Sequence, residues 1–207
     1  MIAKRSPKRP QERPQPYHHG DLHDALVRTA RKLLEKDGLE HVSLRRVARD
    51  AGVSPAAPYH HFADKHALLN AVAVEGYTAL RLEMLARMAK ETDPAARRDA
   101  CGVGYVVFAV KNPALFRLMF GGNSELSPED AILKQPRDLA YGVLEEAVRK
   151  SSPKGEASPL TCLRLWALVH GIAKLILEGG IKPADYGAAT REALAVRLLD
   201  RRQQPWP

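Results

Sequence analysis

The chain has 207 residues, of which 45% are hydrophobic and 27% charged, and its formal net charge is +8. A chain of that size and composition buries a core without staples and is no disordered polyelectrolyte. Its two cysteines, Cys101 and Cys162, stand among apolar residues with neither metal nor redox spacing, so they are expected to pack as small hydrophobes in a reducing compartment.

No apolar signal segment follows Met1, because Ile2-Ala3 runs straight into Lys4-Arg5, and no stretch approaches the roughly 18 apolar residues of a membrane span. A soluble cytoplasmic protein is the expectation. The charge is uneven. Residues 1–66 hold 13 Lys/Arg against 8 Asp/Glu, and seven of the eight histidines lie there as well. Positive charge concentrated in one segment suits a surface that neutralises phosphates.

Residues 1–16 combine four prolines with Lys4, Arg5, Lys8, Arg9 and Arg13, which predicts a disordered basic arm. A first helix is expected over 21–36, with Leu22, Leu26, Ala30, Leu33 and Leu34 on its buried face and Gly38 ending it. A second runs from Leu44 to Asp50, capped by Ser43, and Gly52 turns the chain. A third helix is expected from Ser54, with Pro55 at its first position and Phe62 closing the core of a three-helix unit. Asp64 caps a long helix over 65–90. The apolar period then stays helical over 94–111, 113–120, 128–150, 159–178 and 184–202, separated by Asn112-Pro113, Gly121-Gly122, Ser151-Ser152-Pro153 and Gly179-Gly180. The fold class is therefore all-α, about nine helices, divided into a helix-turn-helix domain over 17–66 and a ligand-binding and dimerisation domain over 67–207.

Two short helices joined by a glycine turn are how a small domain offers one helix to the major groove. Ser43 and Arg45, at the start of the second helix, fit a phosphate-binding role, and Ser54, Pro55, Ala56 and Ala57 form a small leading face able to approach base edges. Pro58 removes an amide from the first turn of this helix. Few hydrogen-bonding side chains remain there, so phosphates, backbone amides, thymine methyls and DNA shape are expected to carry much of the specificity.

From Tyr17 to Leu69 the chain resembles the TetR family of bacterial transcriptional regulators. The resemblance rests on Tyr17-His18-His19-Gly20-Asp21-Leu22, Leu44-Arg45-Arg46-Val47-Ala48, Ala51-Gly52-Val53-Ser54, Tyr59-His60-His61-Phe62 and Asp64-Lys65 with Ala67-Leu68-Leu69. Trp166-Ala167-Leu168-Val169-His170-Gly171 looks like the WHG type of C-terminal domain in one branch of the family, and Asn112 to Phe120 resembles a segment of that branch. The resemblance implies an all-helical homodimeric repressor that binds a palindromic DNA operator and is released by a small-molecule effector. It also implies that Tyr59 gives its hydroxyl to a phosphate with His60 beside it, and that Lys65 pairs with the DNA backbone.

Trp166 and His170 share a helix face at i, i+4 spacing and are candidates to line an effector pocket, with Tyr105, Phe108, Phe116 and Phe120. The N-terminal histidines are explained as neighbours of a DNA surface, so no metal and no cofactor are expected. Catalysis has no footing: Gly102-Val103-Gly104 lacks the third glycine and the preceding strand of a nucleotide fingerprint, and no GxSxG, P-loop or HExxH occurs. A different reading stays open, a small-molecule binding protein whose DNA-binding domain is weakened, and Pro58 is the residue that favours it.

Overall fold

In the computed structural model, residues 19–122, 126–127 and 129–200 are described. Their fold is all-helical: α1 (His19–Asp37), α2 (Leu44–Asp50), α3 (Lys65–Met88), α4 (Pro94–Lys111), α5 (Pro113–Phe120), α6 (Ala131–Ser151), α7 (Pro159–Leu177) and α8 (Arg191–Leu199). The expected basic arm and the last residues of the expected C-terminal helix lie outside the described residues.

Helix starts follow side-chain chemistry. Ser43, Asp64, Asp93 and Thr190 each accept a hydrogen bond from an amide in the first turn of α2, α3, α4 and α8. Each satisfies one of the orphan donors that a helix N-terminus leaves. The last helix begins later than its apolar period suggests. Pro183–Tyr186 forms a 3-10 turn closed by Gly187 in the left-handed region, and α8 starts only after the Thr190 cap.

The expected third helix is not α-helical. Residues 55–56 form a turn and Ala57–His60 a single 3-10 turn. Pro58 is the cause, because its ring nitrogen has no hydrogen to give the Ser54 carbonyl. The chain closes instead through three-residue bonds: Ala57 N–H to Ser54 O at 3.0 Å, Tyr59 N–H to Ala56 O at 3.2 Å and His61 N–H to Pro58 O at 3.0 Å. That is the tighter 3-10 geometry.

α4 is the central element. It packs against α3, α6, α7 and α8, while α1 and α2 sit at the far end of α3. One apolar cluster runs through the molecule, from Leu26, Leu34, Val47 and Phe62 beneath the N-terminal helices to Phe108, Phe116 and Ile176 in the C-terminal part. Full burial of each such side chain contributes about 1.5–3 kcal/mol. Cys101 and Cys162 are both free and buried, and burial pushes the Cys101 thiol up to about 12.

The reading that no stretch approaches a membrane span needs correction for α7. By length and composition this helix is apolar enough to cross a membrane. Its apolar residues divide between two sides. Cys162, Val169, Ala173 and Ile176 face the core, whereas Leu160, Leu163 and Leu175 are exposed. Arg164 and Lys174 interrupt the sequence.

Candidate functional site

The glycine turn expected after the second helix is built as a Schellman closure. Gly52, at φ 71°, donates to the Arg49 carbonyl at 3.1 Å, and Val53 donates to the Ala48 carbonyl at 3.0 Å. Beyond it the chain alternates anchors and exposed tips. Val53 packs against the core, and Pro58 and Phe62 are buried. Between these anchors Ser54, Pro55 and Ala56 are exposed, Ala57 is half-buried, and Tyr59 (52% exposed) and His60 face outward. A backbone fastened at three points therefore holds out a narrow ridge of small side chains with a tyrosine and a histidine at its end.

Beside the ridge, the Ser43 hydroxyl accepts the Arg46 amide at 3.3 Å, and Arg45 projects from the first turn of α2. Arg45 has no ionic or hydrogen-bond partner among the described residues. Lys65 stands half-buried at the first residue of α3, where Asp64 accepts the Ala67 amide at 2.8 Å. Two neighbouring arginines differ in what they can do. Arg46 is tied to Asp37 of α1 and lies 3.7 Å from Asp50, so it acts as a strut between α1 and α2. Arg49 is mostly exposed, 3.2 Å from Asp50. His23 stacks on Phe62 with ring centroids 4.9 Å apart, and His61 packs beside both rings. Among the described residues no group of three His, Cys, Asp or Glu side chains is placed to hold a metal.

The second feature is a cavity of about 260 Å³ between α3, α4, α6 and α7, with Phe120 of α5 on its wall. Its lining includes three candidates from the sequence, Tyr105, Phe120 and Trp166. The Tyr105 hydroxyl lies 2.9 Å from His170 Nδ1, and the Phe116, Phe120 and His170 rings pack around it. Burial pushes the Tyr105 phenol far above its usual value, with the Trp166 indole partly offsetting it, and burial with Lys174 nearby pulls His170 below its ordinary 6.5. The neutral pair is thus favoured: tyrosine donates and imidazole accepts.

Phe108 is enclosed in the core away from this cavity, and Phe116 lies behind Phe120 on a separate cleft of about 230 Å³. Sequence reasoning missed Tyr77, Arg137 and Tyr141 in the lining. The i, i+4 spacing of Arg137 and Tyr141 on an amphipathic helix was the available signal. A wider cleft of about 630 Å³ lies near the α3–α4 turn, lined by mixed charges such as Arg87, Lys90, Asp93 and Asp99 and by no aromatic ring.

The two features are physically linked. The Glu35 carboxylate of α1 takes hydrogen bonds from the Leu115 and Ala114 amides at the start of α5; burial raises its pKa, and Arg31 and those amides oppose the rise. Arg31 also donates to Asn112 Oδ1 at 2.9 Å. The far end of the same short helix carries Phe120 into the cavity. A second link joins His66 of α3 to Asp130 at 3.0 Å, just before α6. Asp130 is held low chiefly by the Ser127 amide, with His66 and Asn70 adding to it.

Residues 26–72 match the description "Bacterial regulatory proteins, tetR family", and residues 99–201 match "Tetracyclin repressor-like, C-terminal domain". The chain belongs to the TetR family. As a TetR-family protein it is a DNA-binding transcriptional regulator. It is 26% identical over 177 residues to an uncharacterised HTH-type transcriptional regulator of Haemophilus influenzae, spanning 84% of this chain and 83% of that one. It is 46% identical over 50 residues to the class C tetracycline repressor protein of Escherichia coli, covering 24% of this chain and 23% of that protein. A solved structure of a Rhodococcus sp. RHA1 protein of unknown function superposes with a TM-score of 0.74 at 32% identity, over 92% of this chain and 97% of that one. The all-helical architecture read from the apolar periods is the TetR fold, with eight α-helices among the described residues where about nine were expected.

Proposed function

We propose that this TetR-family regulator is a homodimeric repressor whose residues 17–66 bind a palindromic operator and whose residues 67–207 hold a small-molecule effector that releases it. No catalytic step and no resident cofactor belong to this function, and it suits a soluble protein of the cytoplasm. The observation that carries the reading is the exposed ridge Ser54–Ala56 with Tyr59 and His60 at its end, anchored by Pro58 and Phe62. Ser54, Pro55, Ala56 and Ala57 enter the groove. Ser43, Arg45, Tyr59, His60 and Lys65 hold the flanking phosphates. The basic arm over 1–16 adds charge that tracks the backbone or the minor groove.

A second copy covers the exposed side of α7, where Leu160, Ala167, Gly171 and Leu175 form one stripe. A Cβ added at Gly171 meets nothing within 4 Å, so this stripe lets another helix come close. Two ridges then lie about one DNA turn apart, roughly 34–36 Å. An effector in the aromatic cavity displaces α5, whose opposite end is held by Glu35 and Arg31 of α1, and so favours a spacing unfit for the operator. The coupling runs both ways, so operator DNA weakens effector binding by the same factor.

The test is Leu163→Glu, a charge placed among the exposed leucines of α7. Wild type is expected to sediment as a dimer. The variant is expected to sediment as a monomer, still fully helical, and to bind duplex DNA about 10²-fold more weakly because it has lost bivalency. A wild-type protein that sediments as a monomer on its DNA overturns the reading.

A further inference from the structure

The exposed ridge after the glycine turn can read bases by three routes: side-chain hydrogen bonds, backbone amides, or apolar contact. Its tip is poor in the first. Among Ser54, Pro55, Ala56 and Ala57, Ser54 has the one hydrogen-bonding side chain, and none of the four can make the bidentate contact that arginine, lysine, asparagine or glutamine makes to a purine. Tyr59 and His60 stand at the far end of the ridge, where the reading above gives them flanking phosphates.

The backbone narrows the second route. Pro55 and Pro58 have no amide hydrogen. The amides of Val53, Ala57, Tyr59, His61 and Phe62 are committed within the turn, to the carbonyls of Ala48, Ser54, Ala56 and Pro58. Two prolines and five committed amides leave at most three to offer in the ten residues from Val53 to Phe62. What the tip presents instead is carbon: the Pro55 ring and the Ala56 methyl, both exposed. Both are held out by a chain anchored at Val53, Pro58 and Phe62. The base edges of the major groove carry one apolar group, the 5-methyl of thymine. It is the partner that removes these carbons from water without leaving a polar group unpaired.

We propose, on the reading that residues 17–66 bind an operator, that Pro55 and Ala56 read thymine 5-methyl groups in the major groove, so that the operator half-site is defined by its thymines rather than by its guanines.

The experiment uses the full chain and the duplex that wild type enriches from a random library. Copies of that duplex carry deoxyuridine in place of one thymine at a time, which removes the methyl and keeps every hydrogen-bonding group. Others carry 7-deazaguanine in place of one guanine, which removes the N7 acceptor. Affinity is read by fluorescence anisotropy. At one or more thymines in each half-site, deoxyuridine is expected to weaken binding about fourfold, the contribution of one buried methyl. 7-Deazaguanine is expected to cost less than about twofold at every position, because no bidentate donor reaches N7. In the double variant Pro55→Ala, Ala56→Gly the deoxyuridine penalty is expected to shrink to near nothing. A change in DNA stiffness would persist in that variant, so the coupling belongs to the contact. Equal binding of wild type with and without the methyls overturns the assignment while sequence-specific binding stands, as does a penalty seen with 7-deazaguanine alone. A deoxyuridine penalty undiminished in the double variant overturns the roles of Pro55 and Ala56. Enrichment of no sequence by wild type overturns the operator reading and this proposal with it.

Discussion

Gly104 is where the α3–α4 packing is most exposed to a single change. A Cβ built there stands 2.7 Å from Met84 Cα, 3.1 Å from Met84 N and 3.2 Å from the Glu83 carbonyl. All three are backbone atoms of α3 and cannot swing aside. Carbon atoms pack at about 3.5–4.0 Å, so Gly104→Ala requires α3 and α4 to part by about 1 Å. Overpacking of this kind costs about 1–3 kcal/mol. Replacing a mid-helix glycine by alanine returns up to about 1 kcal/mol, which leaves a net loss of roughly 1–2 kcal/mol. For a chain of this length that corresponds to a melting temperature lower by about 2–8 °C, measured by circular dichroism. The control is Gly102→Ala two residues away. Its Cβ meets Val169 Cγ1 at 3.1 Å, the end of a rotatable side chain, so the change should be near neutral. If Gly104→Ala melts at or above wild type, or if Gly102→Ala costs as much, the account of the central helix pair is wrong.

Two further outcomes are expected. Ser43→Ala removes the α2 cap; its 3.3 Å bond is long, so the loss should sit at the low end for a cap, about 0.5–1 kcal/mol by urea unfolding, and a variant as stable as wild type would show the hydroxyl to be idle. His170 is pulled below its ordinary 6.5 by burial and Lys174, so below pH 6.5 the unfolded chain takes a proton that the folded chain still refuses, and stability falls as pH drops through that range. The difference in stability between pH 7.5 and pH 5.5 should therefore be smaller in His170→Gln than in wild type; an unchanged difference would place the imidazole in a solvated setting.

How much of this was legible in the sequence differs by element. Every long helix was, because its apolar period is local, and Asp64 and Asp93 cap α3 and α4 as Ser43 caps the short α2. The ridge residues were also legible, through the ordered set from Leu44 to Lys65. The conformation of 54–60 was not, although its cause was visible. Removing one amide at Pro58 was expected to weaken an α-turn, whereas the backbone has a nearby alternative in three-residue bonds and takes it. The cavity was half legible. Trp166, Tyr105 and Phe120 are aromatic residues on apolar helices, but Tyr77 and Arg137 reach it only through the packing of α3 against α6, which no local pattern encodes. The same is true of the Glu35 link to the α5 amides, since the two partners are 79 and 80 residues apart. The exposed leucines of α7 could not be told from its core residues one by one in the sequence, because periodicity marks an apolar face without saying which molecule covers it.

The most direct test of the central claim is selection of bound duplexes from a random library by wild type and by Tyr59→Ala, at two salt concentrations. Tyr59 is 52% exposed, so its truncation should leave the fold intact. The account predicts enrichment of a palindrome with half-sites about one helical turn apart, weakened by salt as phosphate contacts require and lost in the variant. Enrichment of no sequence by wild type, or of the same palindrome with equal affinity by Tyr59→Ala, would contradict it.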